Sequence, residues 1–241
     1  METLFFLFLL MFFIIYLFAY FLVFRNWSPR IRPEASSCFI SFFHGTPAVL
    51  LATYALFSNK ARGFSSPNTP TENLVLEYSI AYFITDLLHY LVFFPQDVLF
   101  IGHHLATLFV FVTCRYLASH GAFAVLSLLI LAEVTSACQN TWTLASVRRD
   151  DAEFAGKIYH LLSPPFYAFY SVVRGILGPL FVYEMFVFYV SGAADHVIPK
   201  WVWISWLVVV TSAISVSILW ISNLWVQLYR ERRGDLDKKV R

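Results

Sequence analysis

Charge is what this sequence has least of. Asp, Glu, Lys and Arg together supply 13% of its 241 residues, about half the share in a soluble domain. No polar stretch is long enough to fold as a separate water-soluble domain, so one integral membrane unit is expected rather than a soluble domain on an anchor. Cysteine is scarce as well. Its three copies, Cys38, Cys114 and Cys138, are odd in number and lie in apolar stretches, which argues against a disulfide framework and for small hydrophobes. The net charge of +2 comes with no basic footprint for nucleic acid, and no nucleic-acid partner is expected. His-x3-His and repeated His-x-x-His-His boxes are absent too. A di-iron desaturase is therefore not expected, and no metal site is assigned.

What is present is apolar: 59% hydrophobic residues, among them 26 Phe, 13 Tyr and 7 Trp. A helix crosses the hydrocarbon with about 20 apolar residues. Runs of that kind extend from Leu4 to Phe24, Phe39 to Phe57, Leu76 to Phe94, Val98 to Ala118, Ala122 to Val147, Tyr159 to Val190 and Trp201 to Leu228. The first lacks a basic leader and a small-residue cleavage site, so an uncleaved span is expected. The sixth contains Pro164, Pro165, Gly175, Gly178 and Pro179. It reads either as one kinked helix or as a shorter span with the two prolines just before it, at the interface. Counting it once leaves twelve Lys and Arg on one side and four on the other, with Arg174 inside a span, which accounts for all seventeen. That asymmetry places the N-terminus outside and the C-terminus in the cytosol. Splitting the sixth stretch would put the basic tail on the opposite side. The expected fold class is thus an all-α polytopic membrane protein with seven transmembrane helices.

Ionisable groups cost some kilocalories per mole in hydrocarbon even on lenient insertion scales, so those within the spans stand out. Asp86 and His89 precede a tight turn at Pro95-Gln96-Asp97, and His103 and His104 follow it. At 1.5 Å of rise per residue, all four lie roughly 7 to 12 Å from the same membrane face. Asp86 and His89 share a helix face at i,i+3, as do His103 and Thr107 at i,i+4. His104 points about 100° away from His103, so only one of the two can aim at a given neighbour. Asp86 could orient one ring, leaving an imidazole to act as base or nucleophile. The competing reading is an interhelical network that only fixes packing, with hydrogen bonds contributing about 0.6 kcal/mol each. Further along, Glu133 sits near mid-bilayer with Thr135, Ser136, Gln139 and Asn140 below it. Arg174 follows Tyr167 and Tyr170, and Glu133 and Arg174 are expected to pair with each other. His44, beside Gly45 and Pro47, reads as a packing or cavity-lining group.

Several of these residues form an ordered series of motifs: Tyr82-Phe83-Ile84-Thr85-Asp86, then His103-His104-Leu105-Ala106-Thr107, then Glu133-Val134-Thr135-Ser136 with Asn140, then Arg174 and Gly178-Pro179. From Tyr82 through Trp225 the pattern resembles the TLC-domain family of translocating-chain-associated, longevity-assurance and neuronal-lipofuscinosis proteins. The resemblance implies six helices in a barrel-like bundle around a cavity, here preceded by an extra N-terminal span. The implied division is residues 1–37 as N-terminal helix and loop, 38–229 as the TLC domain and 230–241 as a basic tail. In the ceramide synthases of this family, paired histidines serve N-acylation by a fatty acyl-CoA, which maps the catalytic role to His103 and His104 with Asp86 in support. The implied cavity and substrate-binding groups are His89, Thr107, Glu133, Ser136, Asn140, Tyr170 and Arg174. Those synthases also carry aspartates shortly beyond the histidine pair, where this chain runs Leu126-Ser127-Leu128-Leu129-Ile130-Leu131-Ala132-Glu133. The homeobox-like domain of many animal synthases is absent as well. The chain therefore resembles the small, transmembrane-56-like type.

Three functions stay open at this point: lipid acyl transfer, lipid binding or sensing without turnover, and an adaptor for secretory cargo or translocation. No cofactor is implied; acyl-CoA enters only as a co-substrate. The expected partners are membrane lipids, together with a membrane protein or a second copy of the chain. Lys238 and Lys239 stand four and three from the end of the sequence and resemble the dilysine signal for retrieval to the endoplasmic reticulum, the expected location. One check on the topology is Asn26-Trp27-Ser28, a glycosylation sequon on the side assigned to the cytosol. In microsomes Asn26 should stay unmodified, and an endoglycosidase-sensitive mobility shift would invert the orientation.

Overall fold

The computed structural model describes residues 2–240, with side chains for residues 4–233. The side chains of Lys238 and Lys239, and all of Arg241, fall outside what is described. Among the described residues the structure is all helix and connection, with one isolated bridge between Pro67 and His120. Seven helices are long and apolar enough to cross a membrane: α1 (Leu4–Val23), α2 (Arg32–Ser58), α3 (Pro70–Phe93), α4 (Val98–Ala118), α5 (Ala122–Arg148), α6 (Glu153–Val190) and α7 (Lys200–Arg233). The chain is an all-α polytopic membrane protein.

Packing follows the chain except where the ring closes. α2 packs on α3, α3 on α4, α4 on α7, α7 on α6, α6 on α5, and α5 back on α2. Six helices thus close a ring, and α1 lies outside it against α2 and α3. Phe12 anchors α1: fully buried, its ring meets those of His44, Tyr78 and Tyr82. The opposite face of α1, with Phe6, Leu10, Phe13, Phe21 and Leu22, is exposed, as a helix facing lipid should be.

Local chemistry sets the helix ends. Thr69 caps α3 by accepting the Glu72 N–H at 3.2 Å, while Glu72 accepts the Thr69 N–H at 2.7 Å, and Pro70 occupies the first turn. This reciprocal cap starts α3 six residues before its apolar run. Asn68 ties the same loop to the α4–α5 connection, donating to the Cys114 carbonyl and accepting from Ala122 N–H. Between α6 and α7, Asp195 accepts from Trp203 Nε1 at 3.1 Å and lies 3.1 Å from Lys200 Nζ. That ammonium holds its carboxyl below the usual carboxylate range.

The sixth span is one continuous helix. Pro164 and Pro165 lie within its α-helical part, Glu153–Val172, and a wider turn at Val173–Leu177 precedes Gly178-Pro179. Pro179 offers no N–H and crowds the preceding turn. The backbone widens there, and Gly178 N–H reaches back five residues to Val173. The fifth span, by contrast, is interrupted. Its halves Ala122–Glu133 and Ser136–Arg148 meet at Val134 and Thr135.

The ring closes between α4 and α7 through Trp206, whose Nε1 donates to Thr113 Oγ1 at 2.8 Å. α3 and α4 are also joined by an ion pair that the sequence reading did not single out: Arg115 Nη2 meets Glu77 Oε1 at 2.6 Å, and Glu77 is buried. Removing Glu77 takes away the carboxylate that both Nε and Nη2 of Arg115 engage. Glu77→Leu should therefore lower thermal stability in detergent by about 3 kcal/mol. Glu77→Leu with Arg115→Leu should recover most of the loss; a single variant as stable as wild type would deny the pair any structural role.

Candidate functional site

The polar centre is Asp86, buried on α3, which joins three helices. Its Oδ1 accepts from Ser37 Oγ of α2 at 2.7 Å, and its Oδ2 meets His104 Nε2 of α4 at 2.9 Å. The other ring nitrogen of His104, Nδ1, lies 2.8 Å from the Phe100 carbonyl one turn earlier. A carbonyl only accepts, so Nδ1 carries a hydrogen. Nε2 and Asp86 Oδ2 must then share one proton, either as imidazolium and carboxylate or as imidazole and carboxylic acid. Both nitrogens of His104 are engaged, and the ring is fixed.

His103 is placed differently. It is exposed and lines a partly open cavity of about 130 Å³ walled by the ring helices. Its ring stands edge-on to that of His104, with centroids 5.7 Å apart and planes at 85°. Among the described residues no hydrogen bond engages it. The cavity is walled by α3 to α7: Phe83 from α3; Thr107, Val110 and Phe111 from α4; Val125, Leu128, Leu129, Leu131, Ala132 and Glu133 from α5; Arg174 and Gly178 from α6; Val209, Val210, Ala213, Ile214 and Ser217 from α7. Polar groups are few and apolar walls dominate.

Of the residues singled out from the sequence, His103, Thr107, Glu133 and Arg174 line this cavity together. Asp86 and His104 form the buried pair behind it. His89 lies elsewhere: its Nδ1 meets Tyr16 Oη of α1 at 2.8 Å, so it fastens the outer helix to α3. Asn140 donates to Ser41 Oγ at 2.8 Å, tying α5 to α2. Ser136 donates to Glu133 Oε2 at 2.7 Å. Tyr170 packs edge-on against Trp220 of α7, with ring centroids 4.7 Å apart, beneath the Arg174 guanidinium.

The expected Glu133–Arg174 ion pair does not form, and the interruption of α5 explains why. In lipid, a carbonyl beside a helix break needs a partner within the protein. Arg174 Nη2 donates to the Ala132 carbonyl at 2.5 Å. Glu133 turns instead to α2, where its Oε2 lies 3.8 Å from Nδ1 of the fully buried His44. The His44 ring stacks on Tyr82, with centroids 3.9 Å apart, and its Nε2 meets Ser79 Oγ at 3.1 Å.

Two groups of this site escaped the sequence reading. Ser37 is one of many small polar residues in spans, and nothing local marks it. The role of Gly45 emerges only in three dimensions: a Cβ there would stand 2.9 Å from Glu133 Oε2 and 3.0 Å from Ser136 Cβ.

A family model described as TRAM_LAG1_CLN8, the TLC domain, matches residues 34–226. The chain belongs to the TLC-domain family. The TLC domain of this chain takes in the six ring helices and leaves α1 outside. The chain is also 65% identical over 236 residues to the TLC domain-containing protein At5g14285 of Arabidopsis thaliana, covering 96% of this chain and 93% of that protein. No solved structure matches.

The glycine yields a test of how tightly this TLC domain packs around Glu133. Gly45→Ala should cost about 1–3 kcal/mol of stability through overpacking, whereas Gly102→Ala, with open space around the added carbon, should be tolerated. Thermal unfolding of both in detergent measures the contrast, and equal behaviour would contradict the close approach of α2 to Glu133.

Proposed function

We propose that the TLC domain binds an acyl-chain lipid in the cavity walled by α3 to α7 and transfers an acyl group there through His103. The observation that carries this reading is the division of labour between neighbouring histidines. His104 is locked by Asp86 and the Phe100 carbonyl, while His103 presents a free imidazole to an apolar chamber. An imidazole so placed can attack the carbonyl carbon of an acyl thioester. The C–S bond breaks, and coenzyme A leaves as the thiol with the imidazole proton. The amine or hydroxyl of a second lipid then takes the acyl group and releases neutral imidazole. The net exchange is acyl-CoA plus acceptor giving acylated lipid plus coenzyme A. The apolar walls offer few hydrogen-bonding partners to the water that would otherwise hydrolyse the intermediate.

One observation favours a second reading, lipid binding or sensing without turnover: the stretch Leu126 to Ala132 carries no carboxylate where ceramide synthases have theirs. The charge asymmetry and the Lys238-Lys239 pair support residence in the endoplasmic reticulum, with the N-terminus lumenal and the C-terminus cytosolic. The six-helix unit 38–229 is proposed as the part that acts on lipid.

Liposomes carrying the full chain, labelled oleoyl-CoA and a panel of lipid amines and lysolipids test the first reading. Wild type should transfer label, and His103→Ala should lose the activity by about a hundredfold or more. Co-purifying lipid without transfer would assign the protein to binding alone. Neither lipid nor transfer would leave the adaptor role, to be sought by crosslinking a protein partner.

A further inference from the structure

Arg115 of α4 and Arg174 of α6 are treated differently. Arg115 meets the carboxylate of Glu77 at 2.6 Å. Arg174, on the cavity wall, has no carboxylate within 4.0 Å among the described residues. Its Nη2 is satisfied by the Ala132 carbonyl, its guanidinium lies 5.4 Å from the centroid of the Tyr170 ring, and its buried Nε has no hydrogen-bond partner. The candidate counterion, Glu133, is engaged with Ser136 and faces His44.

A guanidinium is always protonated and offers five N–H donors. Within a bilayer such a charge is kept only where something balances it. Here a carbonyl and an aromatic face supply partial negative charge in direct contact, while Glu133 on the same cavity wall acts on the guanidinium only through space and makes no bond to it. The same cavity surrounds it with Val209, Val210, Ala213 and Ile214 of α7, which suit a hydrocarbon chain. A ligand that completed both halves would carry an anion at one end and an alkyl chain at the other.

We propose that Arg174 is the headgroup anchor of this cavity, and that the lipid it takes is a single-chain amphiphile with an anionic headgroup. A fatty-acid carboxylate and a phosphate monoester on a lysolipid share the required chemistry, since either accepts paired N–H bonds from a guanidinium. The inference rests on the cavity being a lipid site, as proposed above, and specifies which lipids enter it. His103 shares the wall and would lie along the bound chain or beside its head. Arg174 is a binding residue in this account, and no bond is made or broken at it.

The experiment is direct binding to the full chain in nanodiscs, using radiolabelled oleate, oleoyl lysophosphatidate and oleyl alcohol. Wild type should bind one or both anions about tenfold tighter than the alcohol. Arg174→Gln should bring all three within about twofold of the alcohol while leaving alcohol binding unchanged, and Arg174→Lys should keep part of the preference. Preference for oleate identifies a carboxylate ligand, and preference for the lysolipid a phosphate. Equal binding of anions and alcohol by wild type would overturn the anchor while leaving the lipid cavity intact. A uniform loss for all three ligands in Arg174→Gln would overturn it too, marking the residue as structural. Binding of none of the three would overturn both the anchor and the cavity as a lipid site.

Discussion

One constraint shapes most of the polar chemistry buried in this protein: hydrocarbon supplies no hydrogen bonds, so a buried donor, acceptor or charge needs a partner within the protein. Asp86 is where that constraint is met most fully. One carboxylate engages Ser37 of α2 and His104 of α4 while standing on α3, so three of the six ring helices are registered by a single side chain. The proton shared with His104 is also what lets the group be buried at all, since the pair as a whole is neutral. Elsewhere the same demand is met by smaller contacts, among them Tyr16 with His89, Asn140 with Ser41, and Trp206 with Thr113.

The same demand separates the two histidines into distinct roles. A single residue step turns His103 by about 100°, out of the α3 contact and into the chamber. The buried neighbour then acts as a fixed foundation, stabilising the start of α4 through its bond to Phe100. A double histidine in a span thus places one ring in the framework and one in the space that the framework encloses.

Much of this was legible in the sequence. The seven apolar runs mark the seven helices, because hydrocarbon thickness fixes their length. Helix starts were less legible: α2 begins at Arg32 and not Phe39, because Ser36 and Ser37 are small enough to be buried between helices. The early start of α3 did have a signal, the Thr69-x-x-Glu72 cap, which a search for apolar residues passes over. In the site, spacing alone brought Asp86 and the histidine pair to one depth, but not which ring would face inward. The Glu133–Arg174 pairing failed for a physical reason: the break at Val134 and Thr135 reorients one residue and exposes a carbonyl for the other, and neither effect is visible in residue order.

The closure of the ring has a consequence for how the protein is made. α4 and α7 are separated by two intervening spans, yet they are the neighbours that complete the wall. During synthesis α3 to α6 are therefore made before the helix that completes their wall, and Thr113 waits for the Trp206 indole to arrive. The chamber has no existence as a compartment before that moment. Its assembly waits on α7, whose Val209, Val210, Ala213 and Ile214 supply one side of the wall.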